Sequence, residues 1–139
     1  MIEEKMIQTL IQHASEVRLN ARVPHSGFKV GAAILADDGK IYTGCNLEIG
    51  TMEFSICAER AALANAVSAG QQQYRAIAVI ADMEEPVSPC GLCRQNLIDF
   101  GLGWDVIMAT TRNDEVRIVK TIDLLPYAFT GSGRKKAGA

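Results

Sequence analysis

The sequence lacks long hydrophobic runs, and it has no cluster of Lys and Arg before Arg134, Lys135 and Lys136. A membrane-spanning helix needs about 20 consecutive apolar residues, and no run approaches that length. Binding of nucleic acid without regard to sequence needs several cations on one face, whereas the formal net charge here is -2. These absences exclude a membrane partner and argue against a polymeric nucleic-acid substrate.

The amino terminus also lacks the features of a secretory signal. Residues 1–5 carry two acids and one base, and an amphipathic stretch follows instead of an uninterrupted apolar segment. We therefore expect a cytoplasmic protein.

No internal repeat and no long linker divides the 139 residues, of which 48% are hydrophobic and 22% charged. These values are typical of one soluble globular domain. We expect that domain to span residues 1–130. The remaining residues, 131–139, contain no core-forming side chains and are predicted to be disordered.

Hydrophobic periodicity and turn residues predict an alternation of helices and strands. Pro89 is expected to open the third helix, because proline suits the first helical turn. The predicted elements are a helix over 5–19, strands over 28–36 and 40–47, a helix over 57–69, a strand over 75–81, a helix over 89–100, strands over 105–110 and 115–119, and a helical turn over 121–125. This order favours an α/β fold with helices on both faces of a mixed five-stranded sheet.

Four cysteines are present, and two of them form a C-x-x-C motif. Cys90 and Cys93 are three residues apart, so within a helix both sulfurs lie on one face. Cys57 begins another predicted helix, and helix N-termini favour thiolates. Because catalytic zinc sites have three protein ligands and one open position, the three cysteines predict a catalytic zinc site.

Glu59 follows Cys57 by two residues, close enough to reach a metal-bound water without being a ligand itself. A carboxylate in that place can move protons as a general acid and base. Cys-Ala-Glu at 57–59 followed by Pro-Cys-Gly-Leu-Cys at 89–93 resembles the paired motifs of zinc deaminases.

Other interpretations of these residues remain open at this point. A C-x-x-C motif alone could be a redox pair, although it would then need neither Cys57 nor Glu59. Cys45 could complete a closed structural site with four cysteines. Glu59 by itself would be an ordinary solvated helix carboxylate.

From about residue 5 to residue 129, the chain resembles the small homotetrameric cytidine deaminases. Cys-Ala-Glu-Arg at 57–60 and Ser-Pro-Cys-Gly-Leu-Cys-Arg-Gln at 88–95 carry the resemblance. Supporting matches are Pro24, Ser26, Phe28, residues 30–32, residues 44–46, Glu48, residues 124–126 and Phe129. The resemblance implies a three-layer α-β-α fold, one Zn²⁺ per subunit and a homotetramer. It also implies that Cys45 is not a ligand.

The same resemblance assigns residues to a nucleoside substrate. Phe28 would stack on the pyrimidine, and Asn46 and Glu48, on one face of a predicted strand, would hydrogen-bond the sugar hydroxyls. Ala58 would contact the substrate, and Ser88 would offer its backbone carbonyl to the leaving amino group.

Two further roles follow from the resemblance. Arg60 would donate hydrogen bonds to the zinc-bound thiolates and moderate their negative charge. Phe129 would belong to a pocket shared between subunits, and with Tyr127 it would form buried subunit contacts.

The implied activity is hydrolytic deamination of cytidine- or deoxycytidine-type nucleosides to the uracil nucleoside and ammonia. Residues 49–56 keep the family's length but little of its sequence, with Ile49 and Met52 in place of polar residues and His25 in place of tyrosine. An alternative substrate is therefore a modified cytosine nucleoside or a nucleoside antibiotic like blasticidin S. A catalytically silent zinc-binding homologue is a further alternative, but it would have no need of Glu59.

Overall fold

The computed structural model describes residues 2–131. Its elements are α1 Glu4–Arg18, β1 Val30–Ala36, β2 Ile41–Cys45, α2 Ala58–Ser68, β3 Tyr74–Ala81, α3 Gly91–Asp99, β4 Asp105–Thr110 and β5 Val116–Lys120, with 3-10 turns at Met52–Phe54 and Thr121–Leu124. Every helix and strand predicted from the sequence is present. Within the described residues, no helix is long and apolar enough to cross a membrane.

The five strands form one sheet in the order β2-β1-β3-β4-β5. Strands β3 and β4 are parallel, and the other neighbouring pairs are antiparallel. A parallel pair needs a long crossover connection, and here that connection contains α3. The predicted mixed five-stranded α/β fold is confirmed.

Helices cover both faces of the sheet. Along β1, Ala33 and Leu35 pack in the same core cluster as α1, whereas Ala32 and Ile34 pack in the cluster that contains α2 and Leu97 of α3. Side chains of a strand alternate between its two faces, so both sets must be apolar when both faces are covered. This double burial explains why the central strands are nearly continuous runs of hydrophobic residues.

Gly44 in β2 sets how closely α2 lies on the sheet. A Cβ atom at this position would lie 2.3 Å from the backbone nitrogen of Ala62 and 2.7 Å from the carbonyl oxygen of Ala58. Only glycine allows this approach of two backbones. The contact therefore fixes the N-terminal turn of α2, where Glu59 lies.

Three expectations need correction or limits. Pro89 does not open α3, because Cys90 has an extended backbone with φ -65° and ψ 166°. The helix begins at Gly91, with Cys90 as its N-cap. Strand β2 ends at Cys45, so Asn46 and Glu48 follow the strand instead of lying on it. The predicted disordered tail, apart from Gly131, lies outside the described residues.

Candidate active site

Two helix N-termini meet and bring three cysteines together. Cys57 is the N-cap of α2, Cys90 is the N-cap of α3, and Cys93 lies in the first turn of α3. Their three Sγ atoms all lie within 4.8 Å of one another, and the Sγ atoms of Cys57 and Cys90 are 3.8 Å apart. Cys57 lies 33 residues before Cys90 in the sequence, so the tertiary structure brings it to the other two cysteines.

This geometry fits a zinc ion. Tetrahedral coordination with Zn–S bonds of about 2.3 Å separates two sulfurs by about 3.8 Å. Of the cysteines, histidines and acids among residues 2–131, the metal-binding cluster contains only Cys57, Cys90 and Cys93, so Cys45 does not complete a closed site. Three ligands leave one coordination position for water, as a catalytic site requires.

Hydrogen bonds and charges within the cluster favour deprotonation of Cys57. The pKa of Cys57 is lowered to about 6, mainly by a hydrogen bond from Cys93 and also by Cys90 and the Arg60 guanidinium. The pKa of Cys93 is raised, because its thiol donates that hydrogen bond and is itself buried. Arg60 thus lies where it stabilises thiolate charge.

Glu59 lies in the first turn of α2 with only 4% of its surface exposed. The pKa of its carboxyl group is raised to about 7, mainly by burial and also by the negative charge of Cys57. A carboxyl group with a pKa near neutrality can both accept and donate a proton at physiological pH. The arrangement therefore suits a group that carries protons through a reaction.

A cavity of about 210 Å³ lies against the cluster and Glu59. Its walls come from the residues before and within β1, the residue after β2, the start of α2, strand β3 and the loop before α3. The lining residues are Phe28, Val30, Asn46, Cys57, Ala58, Glu59, Val79, Val87, Ser88 and Cys90. Sequence reasoning missed the three valines, because nothing in the pattern separates them from ordinary core residues.

Asn46 holds the loop that carries Phe28. Its Oδ1 accepts a hydrogen bond from the backbone amide of Val30 at 2.8 Å, and its Nδ2 donates to the Phe28 carbonyl at 2.8 Å. These two bonds fix the backbone on both sides of Lys29. Phe28 itself is 40% exposed and lines the cavity, where a flat ring can stack.

Glu48 holds the preceding part of the same loop. Its Oε1 accepts hydrogen bonds from the backbone amides of His25 at 3.0 Å and Ser26 at 3.1 Å. Hydrogen bonds from the Ser26 side chain and amide, with that from His25, lower the pKa of this carboxyl group. Glu48 is 7% exposed and is not among the described residues that line the cavity.

The structure gathers most of the predicted site residues around one cavity and leaves a few away from it. Phe28, Asn46, Ala58, Glu59 and Ser88 line the cavity together with two of the cysteines. Phe129 is 62% exposed and does not line it, and no residue of the segment 49–56 does so among the described residues.

Comparisons with known proteins agree with this site. The family model for the cytidine and deoxycytidylate deaminase zinc-binding region matches residues 4–110. A cytidine deaminase of Sporosarcina psychrophila is 44% identical over 124 residues, which are 89% of this chain and 91% of that protein. A cytidine deaminase of Halalkalibacterium halodurans is 40% identical over 88% of this chain and 93% of that protein.

Solved structures of cytidine deaminases are also similar to this chain. The crystal structure of a cytidine deaminase from Burkholderia pseudomallei superposes with a TM-score of 0.84 at 42% identity, covering 88% of this chain and 98% of that one. A cytidine deaminase from Mycobacterium tuberculosis gives a TM-score of 0.77 at 36% identity, covering 88% and 95%.

The chain therefore belongs to the cytidine and deoxycytidylate deaminase family defined by this zinc-binding region. The predicted family, the α-β-α fold and the cysteine zinc site are confirmed. It is an enzyme, a zinc-dependent hydrolase, and the redox and structural-zinc interpretations of the C-x-x-C motif do not hold.

Proposed function

We propose that this enzyme hydrolyses the 4-amino group of cytidine and deoxycytidine, giving the uracil nucleoside and ammonia. The observation that carries the proposal is the buried carboxyl group of Glu59, which faces a cavity beside three zinc-binding thiolates. Relatives named cytidine deaminase, 44% and 40% identical, support the substrate class. A silent zinc-binding homologue would have no use for this buried acid.

Residues Cys57, Cys90 and Cys93 would hold the zinc ion, which when bound lowers the pKa of a water molecule and so supplies a nucleophile at neutral pH. Glu59 accepts the proton that the attacking water releases and passes it to N3 of the cytosine ring. The new C–O bond forms at C4. Glu59 then carries the second proton of the water to the exocyclic nitrogen, the C4–N bond breaks, and ammonia leaves.

The remaining cavity residues would bind and orient the nucleoside. Phe28 would stack on the pyrimidine, and its position is fixed by the two hydrogen bonds of Asn46. Asn46 and Glu48 would bind the sugar hydroxyls, Asn46 through the amide hydrogen that its bond to the Phe28 carbonyl does not use. Ala58 lines the cavity beside Glu59, and the Ser88 carbonyl would accept a hydrogen bond from the leaving amino group.

An ultraviolet assay of the zinc-loaded protein against a panel of cytosine nucleosides tests this proposal. Glu59→Gln keeps the shape of the side chain but cannot carry a proton, so we expect kcat to fall about 10²–10⁴-fold. Zinc content, measured by atomic absorption, should remain one ion per subunit. A Glu59→Gln protein with full activity would refute the mechanism, and a panel in which no nucleoside loses its amine would refute the substrate class.

A modified cytosine nucleoside is the second candidate. The observation that favours it is the apolar character of residues 49–56, where Met52 is 49% and Phe54 68% exposed. These side chains do not line the cavity of the single subunit, so they would meet the substrate only across a contact between subunits. Flexible apolar side chains there would accept altered substituents more readily than fixed polar ones. The same panel should include 5-substituted cytidines and blasticidin S; a kcat/KM above that for cytidine would favour this candidate.

We further infer a homotetramer with active sites near its subunit contacts. Met52, Phe54, Tyr127 and Phe129 are large apolar side chains exposed on the single subunit. Phe129 would enter a pocket shared with a neighbouring subunit. Size-exclusion chromatography with light scattering tests this inference, and a monomer at micromolar concentration would contradict it.

The expected location is the cytoplasm. Four free cysteines, three of them needed as zinc ligands, remain reduced in such a compartment. Fractionation of the source cells, with detection by an antibody to this chain, would test the location.

A further inference from the structure

Arg94 follows the metal-binding Cys93 in α3, and its guanidinium group contacts two separate parts of the chain. Nε donates a hydrogen bond to the Pro89 carbonyl at 2.8 Å, and one terminal nitrogen donates to the Ser88 hydroxyl at 2.6 Å. The other terminal nitrogen donates to the Leu124 carbonyl at 2.8 Å. All three acceptors are neutral, so these bonds fix geometry instead of pairing opposite charges.

The first two bonds hold the loop that leads into the metal site. Ser88 and Cys90 line the cavity, and Pro89 between them is fully buried. The loop is tied before this point by the hydrogen bond from the Val87 amide to the Ala109 carbonyl, and after it by the bond from the Arg94 amide to the Cys90 carbonyl. Between these two points, the side chain of Arg94 holds Ser88 and Pro89.

The third hydrogen bond connects this loop to the 3-10 turn that follows β5. Leu124 ends the 3-10 turn after β5 and packs against the core cluster that includes Leu97 of α3. Neighbouring Gln95 donates a hydrogen bond from its side chain to the Phe129 carbonyl. The N-terminal half of α3 is thus fastened to the segment that follows the last strand.

We propose that Arg94 is a positioning residue that holds the Ser88–Pro89–Cys90 backbone in the place the reaction needs. It would act through two groups, the Cys90 thiolate at the metal and the Ser88 carbonyl at the leaving amino group. The role of the Ser88 carbonyl rests on the function proposed above, whereas the role of the Cys90 thiolate needs only the zinc site. Lysine cannot replace it, because one ammonium group cannot reach three acceptors that a planar fork spans.

The experiment compares Arg94→Lys with Arg117→Lys in zinc-loaded protein. Arg117 is a matched control, since its exposed side chain pairs with the exposed acids Glu115 and Glu85 on the surface. Zinc release into excess colorimetric chelator is followed by absorbance, and kcat and KM are measured for cytidine. Mutation of a residue that holds a metal ligand in place typically lowers metal affinity or activity about 10–100-fold. We therefore expect Arg94→Lys to release zinc about 10–100-fold faster than wild type and to show a kcat/KM lower by about the same factor.

Ser88→Ala sharpens the test, because it removes only the hydroxyl that Arg94 contacts. We expect a smaller change in zinc release in the same direction, and no further change when Ser88→Ala is added to Arg94→Lys, since the contact is already lost. Arg94→Met is a more severe variant, because it removes all three hydrogen bonds. If it does not fold, the comparison of Ser88→Ala, Arg94→Lys and their double variant still tests the role of Arg94.

A purely structural role for Arg94 would lower the melting temperature and leave zinc release and kcat/KM equal to those of Arg117→Lys. That result would overturn the proposal. Additive effects of Ser88→Ala and Arg94→Lys would also overturn it. If the wild-type protein deaminates no nucleoside, the proposed function fails, but zinc release still tests the position of Cys90.

Discussion

The metal end of the cavity and the segment 49–56 are held by the chain in different ways. At the metal end, Glu59 and Cys93 are buried in the first turns of two helices that pack on the sheet. In the segment, Met52 and Phe54 belong to a short 3-10 turn with no buried residue. Regular elements packed on a core fix atoms for chemistry, whereas an exposed turn tolerates substitution. This contrast explains why the segment departs from the family pattern while the zinc motifs keep it.

The largest effect should come from removing a ligand. Cys93→Ala leaves two thiolates for the metal, so the purified protein should contain no zinc and show no detectable deamination. The matched control is Cys45→Ala, a cysteine outside the cluster, which should keep both zinc and activity. Metal analysis and the ultraviolet assay measure these results. Loss of zinc from Cys45→Ala would show that the fourth cysteine is part of the site.

Gly44 tests how far the metal end depends on close packing. Gly44→Ala places a Cβ against the backbone of α2, and we expect about 1–3 kcal/mol lower free energy of unfolding. The control is Gly50→Ala, where an added Cβ meets no atom within 4 Å. Urea unfolding followed by circular dichroism measures both variants. Equal free energies of unfolding for Gly44→Ala and Gly50→Ala would show that the contact at Gly44 does not determine how closely α2 packs on the sheet.

Glu48 tests the loop that carries Phe28. Glu48→Ala removes the acceptor of two backbone amides, so the loop should loosen and KM for cytidine should rise about tenfold with a smaller change in kcat. The pKa of Glu48 is lowered in the folded state, below the ordinary 4.5. Its contribution to stability is therefore complete above that value and is lost as the pH falls through the lower folded pKa.

The pH dependence of unfolding should show this difference. Wild-type protein should lose more stability than Glu48→Ala when the pH is lowered from neutrality to below 4. Parallel stability curves for the two proteins would show that the hydrogen bonds of Glu48 do not contribute to holding the loop.

The smallest effect is expected in the segment itself. Phe54→Ser changes an exposed side chain, so the free energy of unfolding should change by less than about 0.5 kcal/mol, and zinc content should not change. Its effect should instead appear in the dissociation constant of the tetramer, measured by light scattering on dilution. A large loss of stability in the isolated subunit would show that the segment is part of the core.

Several features of the site could be predicted because their signals are local. Cys90 and Cys93 are three residues apart, and Glu59 follows Cys57 by two, so the chemistry is visible in short motifs. Helix α1 and the hairpin of β1 and β2 are likewise encoded by periodicity and turn residues. The error at Pro89 arose because proline suits positions just before a helix as well as its first turn, and local sequence does not separate them.

Other features depend on groups that are distant in the sequence. The contact of Arg94 with Leu124 joins residues 30 positions apart, and Asn46 reaches Phe28 across 18. Both side chains would be assigned to the solvent by composition alone. Both of these hydrogen bonds go to backbone carbonyls, which every residue has, so no residue type in the sequence marks the partner.

The sequence by itself indicated the class of chemistry, because its two short motifs carry three cysteines and a glutamate at the spacing typical of zinc deaminases. It also determined the fold class through the alternation of helices and strands. Only the tertiary structure decided the distance between Cys57 and Cys90, the burial of Glu59 and the bonds that hold Phe28. These follow from packing two helix N-termini on one sheet, an approach that the missing side chain of Gly44 allows for α2.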